Sequence, residues 1–274
     1  MTETINALDG FVKGSFTSTR GERHDLFRLG SGPAVVIIHE VPGITPLVAT
    51  FARRVAEHDM TAVLVSLLGT PGRPVSAGYS VASMVRACVS REFTMLATNA
   101  TSPVVGFLRD LAAHEHKECG GLGVGAVGMS LTGGFALAMS VEPSVVAPVM
   151  SQPSLPLPVT KDRRGELGLS DADLEIVKQR SSADLCVMGL RFTGDTKAPA
   201  ERFARLREEL GPNFIGVEID SSASNPWGYR KAAHSVLTED YSDAPGSPTR
   251  QALEDVLLFL SSRLGVSPAP PQRE

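Results

Sequence analysis

The segment Gly128-Met129-Ser130-Leu131-Thr132-Gly133-Gly134 lies where an apolar run meets a run of small residues. A serine on such a strand-to-helix turn projects its Oγ above the edge of a sheet, and nearby glycines let the two backbones cross closely. The next amide, that of Leu131, opens a helix and can donate to a developing oxyanion. The pattern departs from G-x-S-x-G in its last place, which holds Thr132. Alone, Ser130 also reads as a helix N-cap. A serine hydroxyl is a poor nucleophile unless a base takes its proton and an acid holds that base. Two later positions supply the types: Asp195, closing Leu190-Arg191-Phe192-Thr193-Gly194-Asp195, and His234, in Ala233-His234-Ser235. Singly, Asp195 is a turn aspartate after glycine and His234 a loop histidine. Their chain order and their places after predicted strands make the joint reading stronger: nucleophile, acid and base.

His39-Glu40-Val41-Pro42-Gly43 follows the first buried run, at the sheet edge where open α/β folds bind ligands. The Val41 amide is the natural second oxyanion donor. On local grounds Glu40 reads as a solvated loop carboxylate.

These residues need a scaffold, and the pattern predicts one. Residues 34–38, AVVII, read as a strand buried on both faces, 46–58 as an amphipathic helix opened by proline, and 62–68 as a second buried strand. Strand, helix, strand is a parallel βαβ unit. The pattern continues with helices at 81–97 and 103–117, strand 122–129, helix 133–141, and strands 145–150 and 185–191. Helix 198–210, strand 214–220 and helix 250–264 complete it. The proline-rich stretch 151–158 reads as an ordered loop. Residues 11–30 carry a hairpin signal around Arg20-Gly21-Glu22. The expected organisation is one α/β domain: edge strands over 1–33, a core over 34–265 and a frayed, proline-rich tail over 266–274.

Bulk properties narrow the class. The 274 residues are 42% hydrophobic and 20% charged, ordinary for a globular enzyme with a sizeable core. A net charge of −4 and the lack of a basic run with interleaved aromatics exclude nucleic acid as a partner. No segment approaches the apolar length that spans a bilayer, and MTETINALDG has no signal-peptide pattern, so a cytoplasmic location is expected. Cys88, Cys119 and Cys186 are unpaired in spacing and read as reduced thiols in or near the core. Neither they nor His24, His58, His114 and His116 stand at metal-ligand spacing, and no cofactor is implied. Oligomeric state is not readable from the sequence.

The four places HEVPG at 39–43, GMSLTGG at 128–134, Gly194-Asp195 and His234-Ser235 resemble the dienelactone hydrolases, a branch of the α/β-hydrolases, over about Ala34 to Arg263. The resemblance implies an α/β-hydrolase fold, a mostly parallel sheet with helices on both faces. It makes Ser130 the nucleophile, Asp195 and His234 its partners, Glu40 a carboxylate near the nucleophile, and the Val41 and Leu131 amides the oxyanion hole. The implied substrate is a small-molecule ester or lactone. Two departures matter. The family's founding enzymes use cysteine where Ser130 stands, and a serine depends wholly on its base. Members acting on dienelactone bind a substrate carboxylate with arginines, one of them a turn after the histidine, where this chain has Thr238. Arg86, Arg91, Tyr79 and Trp227 are the remaining candidates for substrate contact. Acyl transfer, cyclisation or lactone rearrangement on the same scaffold is the alternative to net hydrolysis, and a non-catalytic binding protein the third reading.

Overall fold

The computed structural model describes residues 6–89, 102–155 and 163–266. Within them lies an eight-stranded sheet in the order β1-β2-β4-β3-β5-β6-β7-β8. The strands are β1 (Val12–Thr17), β2 (Arg23–Leu29), β3 (Ala34–Ile38), β4 (Thr61–Ser66), β5 (Val124–Met129), β6 (Val145–Ser151), β7 (Val187–Phe192) and β8 (Phe214–Ile219). β2 runs antiparallel to both β1 and β4, and β3 to β8 are parallel. The hairpin signal around Gly21 thus becomes the sheet's antiparallel edge.

The helices are α1 (Pro46–Ala56), α2 (Ala77–Val89), α3 (Pro103–Cys119), α4 (Gly133–Met139), α5 (Asp171–Ala183), α6 (Ala200–Leu210) and α7 (Pro248–Leu264). α1 shows how local chemistry sets an element. Thr45 caps it by accepting from the Val48 amide at 3.3 Å, Pro46 fits the first turn, and Val48, Phe51, Ala52 and Val55 fall on one buried face.

All five residues of β3 are fully buried, because both faces of the sheet are covered. Val36 and Ile38 pack into one apolar layer with α3, α4, α5 and α6. Val35 and Ile37 point the other way, into a layer with α1 and α7. Each such side chain contributes about 1.5–3 kcal/mol on burial. Cys119 and Cys186 are free and half-buried beside these layers. Among the described residues no helix is long and apolar enough to cross a membrane.

Two expectations change. Helix α5 is not foreseen by apolar periodicity, since it buries only Asp173, Leu174, Val177 and Ser181. Its signal is the cap: Ser170 accepts from the Asp173 amide at 3.2 Å, with Asp171 and Asp173 in the first turn. The helix expected over 81–97 begins earlier, at Ala77, and its part beyond Val89 lies outside the described residues, as does the tail beyond Val266. The chain passes from β3 to β4 on one side and then to β5 on the other. A crevice therefore opens beyond the carboxyl ends of β3 and β5, where such sheets bind ligands.

Candidate active site

Ser130 stands at the end of β5 with φ of +57°, a left-handed conformation that a non-glycine residue adopts at a cost of about 1–2 kcal/mol. The turn is held by its neighbours. A Cβ on Gly128 would run into the Thr132 carbonyl oxygen, and one on Gly133 would lie 2.7 Å from Pro153 Cα. Thr132 fills the place of the pattern's last glycine because its hydroxyl works inward. Its Oγ1 accepts from the Met129 amide at 2.9 Å and reaches the Ile38 carbonyl oxygen at 2.8 Å. The turn is thereby pinned to the end of β3, and the close approach passes to Gly133.

Ser130 Oγ lies 2.8 Å from His234 Nε2, and His234 Nδ1 lies 2.6 Å from Asp195 Oδ2. With Asp195 ionised, Nδ1 carries the ring proton, so Nε2 presents a lone pair to the serine hydroxyl. Burial alone would raise the Asp195 carboxyl. The hydrogen bond and charge of His234, with the Lys197 and Ala198 amides, outweigh it and hold the group below its ordinary range. The two loops touch at Gly194, where a Cβ would collide with the Lys231 carbonyl oxygen. Asp240 shapes the histidine loop by accepting from the His234 amide at 2.8 Å and the Ser235 amide at 3.1 Å.

Val41 and Leu131 line the same cavity as Ser130 and His234, a space of about 840 Å³. That lies within the ordinary range for small-molecule sites. Leu131 is in the first helical turn, where amides have no intrahelical acceptor. Met84 and Leu155 give the cavity an apolar wall, and Arg164, Lys197 and Arg230 give it cationic ones.

Glu40 is not a solvated carboxylate. It is only 6% exposed, and its oxygens accept from Ser235 Oγ at 2.7 Å, Gln152 Nε2 at 3.4 Å and Thr238 Oγ1. Its side chain grips the histidine loop instead of bonding to the nucleophile, and Thr238 is one of the groups it grips. His39 is fully buried between loops: Nδ1 donates to the Glu40 carbonyl oxygen at 2.8 Å, while Nε2 accepts from the Leu67 and Leu68 amides at 3.2 and 3.4 Å. Burial drives its pKa from 6.5 to about 4, so it is neutral.

The candidates for substrate contact fare differently. Tyr79 is not among the residues lining this cavity; its hydroxyl accepts from the Thr70 amide at 2.6 Å and Arg73 lies over its ring. Trp227 is 40% exposed and also lies outside the lining. Arg91 and the side chain of Arg86 fall outside the described residues. Sequence reasoning missed Gln152, Ser154 and Asp240, polar residues with no motif. It also missed Arg202, which is 1% exposed and donates to the carbonyl oxygens of Pro153, Glu166 and Lys197 beneath the site. Its helical spacing placed it on the buried face of α6 beside Phe203 and Leu206, a signal that was available.

The fold is that of the α/β-hydrolases. Similar solved structures include a dienelactone hydrolase from Anabaena variabilis, 16% identical, with a TM-score of 0.57 over 93% of this chain and 99% of that one. A puromycin hydrolase is 14% identical, with a TM-score of 0.56 over 95% of this chain and 40% of its own longer chain. The thioesterase domain from the curacin biosynthetic pathway is 13% identical, with a TM-score of 0.54 over 91% of this chain and 100% of that one. No family model matches the sequence, and no curated protein does.

Proposed function

We propose that the protein is a serine-dependent hydrolase that cleaves a small carboxylic ester or lactone through an acyl-enzyme. The observation that carries this reading is the hydrogen-bonded run from Ser130 Oγ through His234 to Asp195, with Ser130 held at positive φ on a cavity. Ser130 Oγ attacks the carbonyl carbon as its proton passes to His234 Nε2. Negative charge forms on the carbonyl oxygen, where the Val41 and Leu131 amides donate to it. Asp195 stabilises the imidazolium. As the tetrahedral intermediate collapses, the C–O bond to the leaving alcohol breaks and His234 returns the proton to it. In a lactone that alcohol stays tethered to the acyl group. Water then repeats the sequence with His234 as base, freeing the acid and Ser130.

A cysteine's thiolate is absent from this scheme, so the serine hydroxyl loses its proton only to His234. Thr238 carries no charge and is turned onto Glu40. The proposed substrate, an ester or lactone, therefore needs no carboxylate at that point. The test is hydrolysis of short p-nitrophenyl esters in the presence of a chelator, with Ser130→Ala beside the wild type. Turnover by the wild type and its loss in a folded variant support the reading. Equal turnover by both proteins, or loss on chelation with recovery on adding zinc, refutes it. Formation of a transfer or ring-closed product in preference to the free acid would move the assignment to acyl transfer or cyclisation.

A further inference from the structure

We infer that Ser154 is a second catalytic hydroxyl, donating to Ser130 Oγ whenever that oxygen carries negative charge. The inference rests on Ser130 being the nucleophile. Ser154 follows β6 on a loop clasped to the serine turn: its amide donates to the Ser130 carbonyl oxygen at 2.9 Å, and Pro153 packs against Gly133. The side chain is 5% exposed and lines the cavity, with its Oγ 3.3 Å from Ser130 Oγ.

Proton counting assigns the direction of that bond. Ser130 has one hydroxyl proton, and His234 Nε2 at 2.8 Å accepts it, because Nδ1 already donates to Asp195. The proton between the two serines therefore belongs to Ser154. Its O–H points at the lone pair of the attacking oxygen. During attack, charge builds on Oγ as its proton departs to His234, and the donated bond strengthens. Once the acyl–oxygen bond has formed, Oγ is an ester oxygen and a weak acceptor, so the bond relaxes. It strengthens again when Ser130 Oγ is expelled in deacylation. No proton is transferred by Ser154 at any stage. The hydroxyl stabilises charge on the nucleophile, whereas the Val41 and Leu131 amides serve the substrate's oxygen.

Removing one donor to a developing oxyanion typically costs about 10²–10³ in rate, and this bond is long and neutral, so about tenfold is expected here. The experiment separates attack from turnover. A p-nitrophenyl alkylphosphonate forms one Ser130 Oγ–phosphorus bond and expels p-nitrophenolate, with no deacylation to follow. Ser154→Ala should slow this labelling about tenfold and lower kcat/KM for an ester similarly, with KM and the thermal midpoint nearly unchanged. Ser154→Thr, which keeps the hydroxyl, should retain most of the rate. Wild-type labelling and turnover in the alanine variant, or a threonine variant as slow as alanine, would overturn the assignment. A wild type that is neither labelled nor active fails at the earlier step and refutes Ser130 itself.

Discussion

Replacing His39 with glutamine and acidifying both proteins tests whether this buried ring is neutral. The imidazole is fully buried and its hydrogen bonds require a protonated Nδ1 and a bare Nε2. Its pKa is about 4 in the fold, against 6.5 for an exposed ring. Above 6.5 neither folded nor unfolded chain is protonated there, and the full stability is present. As pH falls between 6.5 and about 4, the unfolded chain takes up a proton that the folded one refuses. Each pH unit deep in that window removes about 1.4 kcal/mol, and the loss is complete once the folded ring also protonates. Going from pH 7 to pH 4.5, the contribution of His39 is a loss of about 2 kcal/mol. Glutamine does not titrate, yet its amide can both donate and accept. Urea unfolding at the two pH values, for wild type and His39→Gln, gives four free energies. Their double difference removes the carboxylates common to both proteins. The wild type should lose about 2 kcal/mol more than the variant on acidification. Equal losses in the two proteins would refute a neutral, buried His39.

Three further outcomes follow from the site. Thr132→Ala leaves the buried Met129 amide without its acceptor and frees the serine turn from β3; a stability loss of about 1–3 kcal/mol and lower kcat are expected, and an unchanged urea midpoint would contradict this. Glu40→Gln and Thr238→Val should each slow turnover, because both loosen the loop that carries His234. Being in one network, they should couple by about 0.5–3 kcal/mol in a double-mutant cycle on kcat/KM, whereas additive effects would place them in separate roles. Asp195→Asn should reduce kcat by several orders of magnitude with the thermal midpoint far less affected, since an amide no longer selects the Nδ1 proton; retention of full turnover would remove Asp195 from the mechanism.

Much of the scaffold is written locally. The AVVII run, the proline-opened helix after it and the small-residue helix after Ser130 follow from periodicity and steric preference, which act within a few residues. For the same reason the strand-to-helix placement of Ser130 and the strand-end placement of Asp195 were legible, and chain order linked them to His234. Helix α5 escaped because its weak apolar face carries little periodic signal and its evidence lay in a cap. The resemblance likewise carried Glu40 to the vicinity of the site. Its partners could not be read, because Ser235 and Thr238 lie 195 and 198 residues further along the chain. Isolated glutamate and threonine look like solvated surface residues, and only the packing of three loops converts them into a buried, satisfied network. Tertiary structure likewise decided that Ser130 and His234, 104 residues apart, meet at hydrogen-bond distance. It also decided that Ser154 borders the nucleophile and that Arg202 lies buried beneath the site. Local sequence determines backbone conformation through short-range sterics and side-chain period. The environment of a polar group depends on which distant segments exclude water around it, and that is a property of the assembled fold.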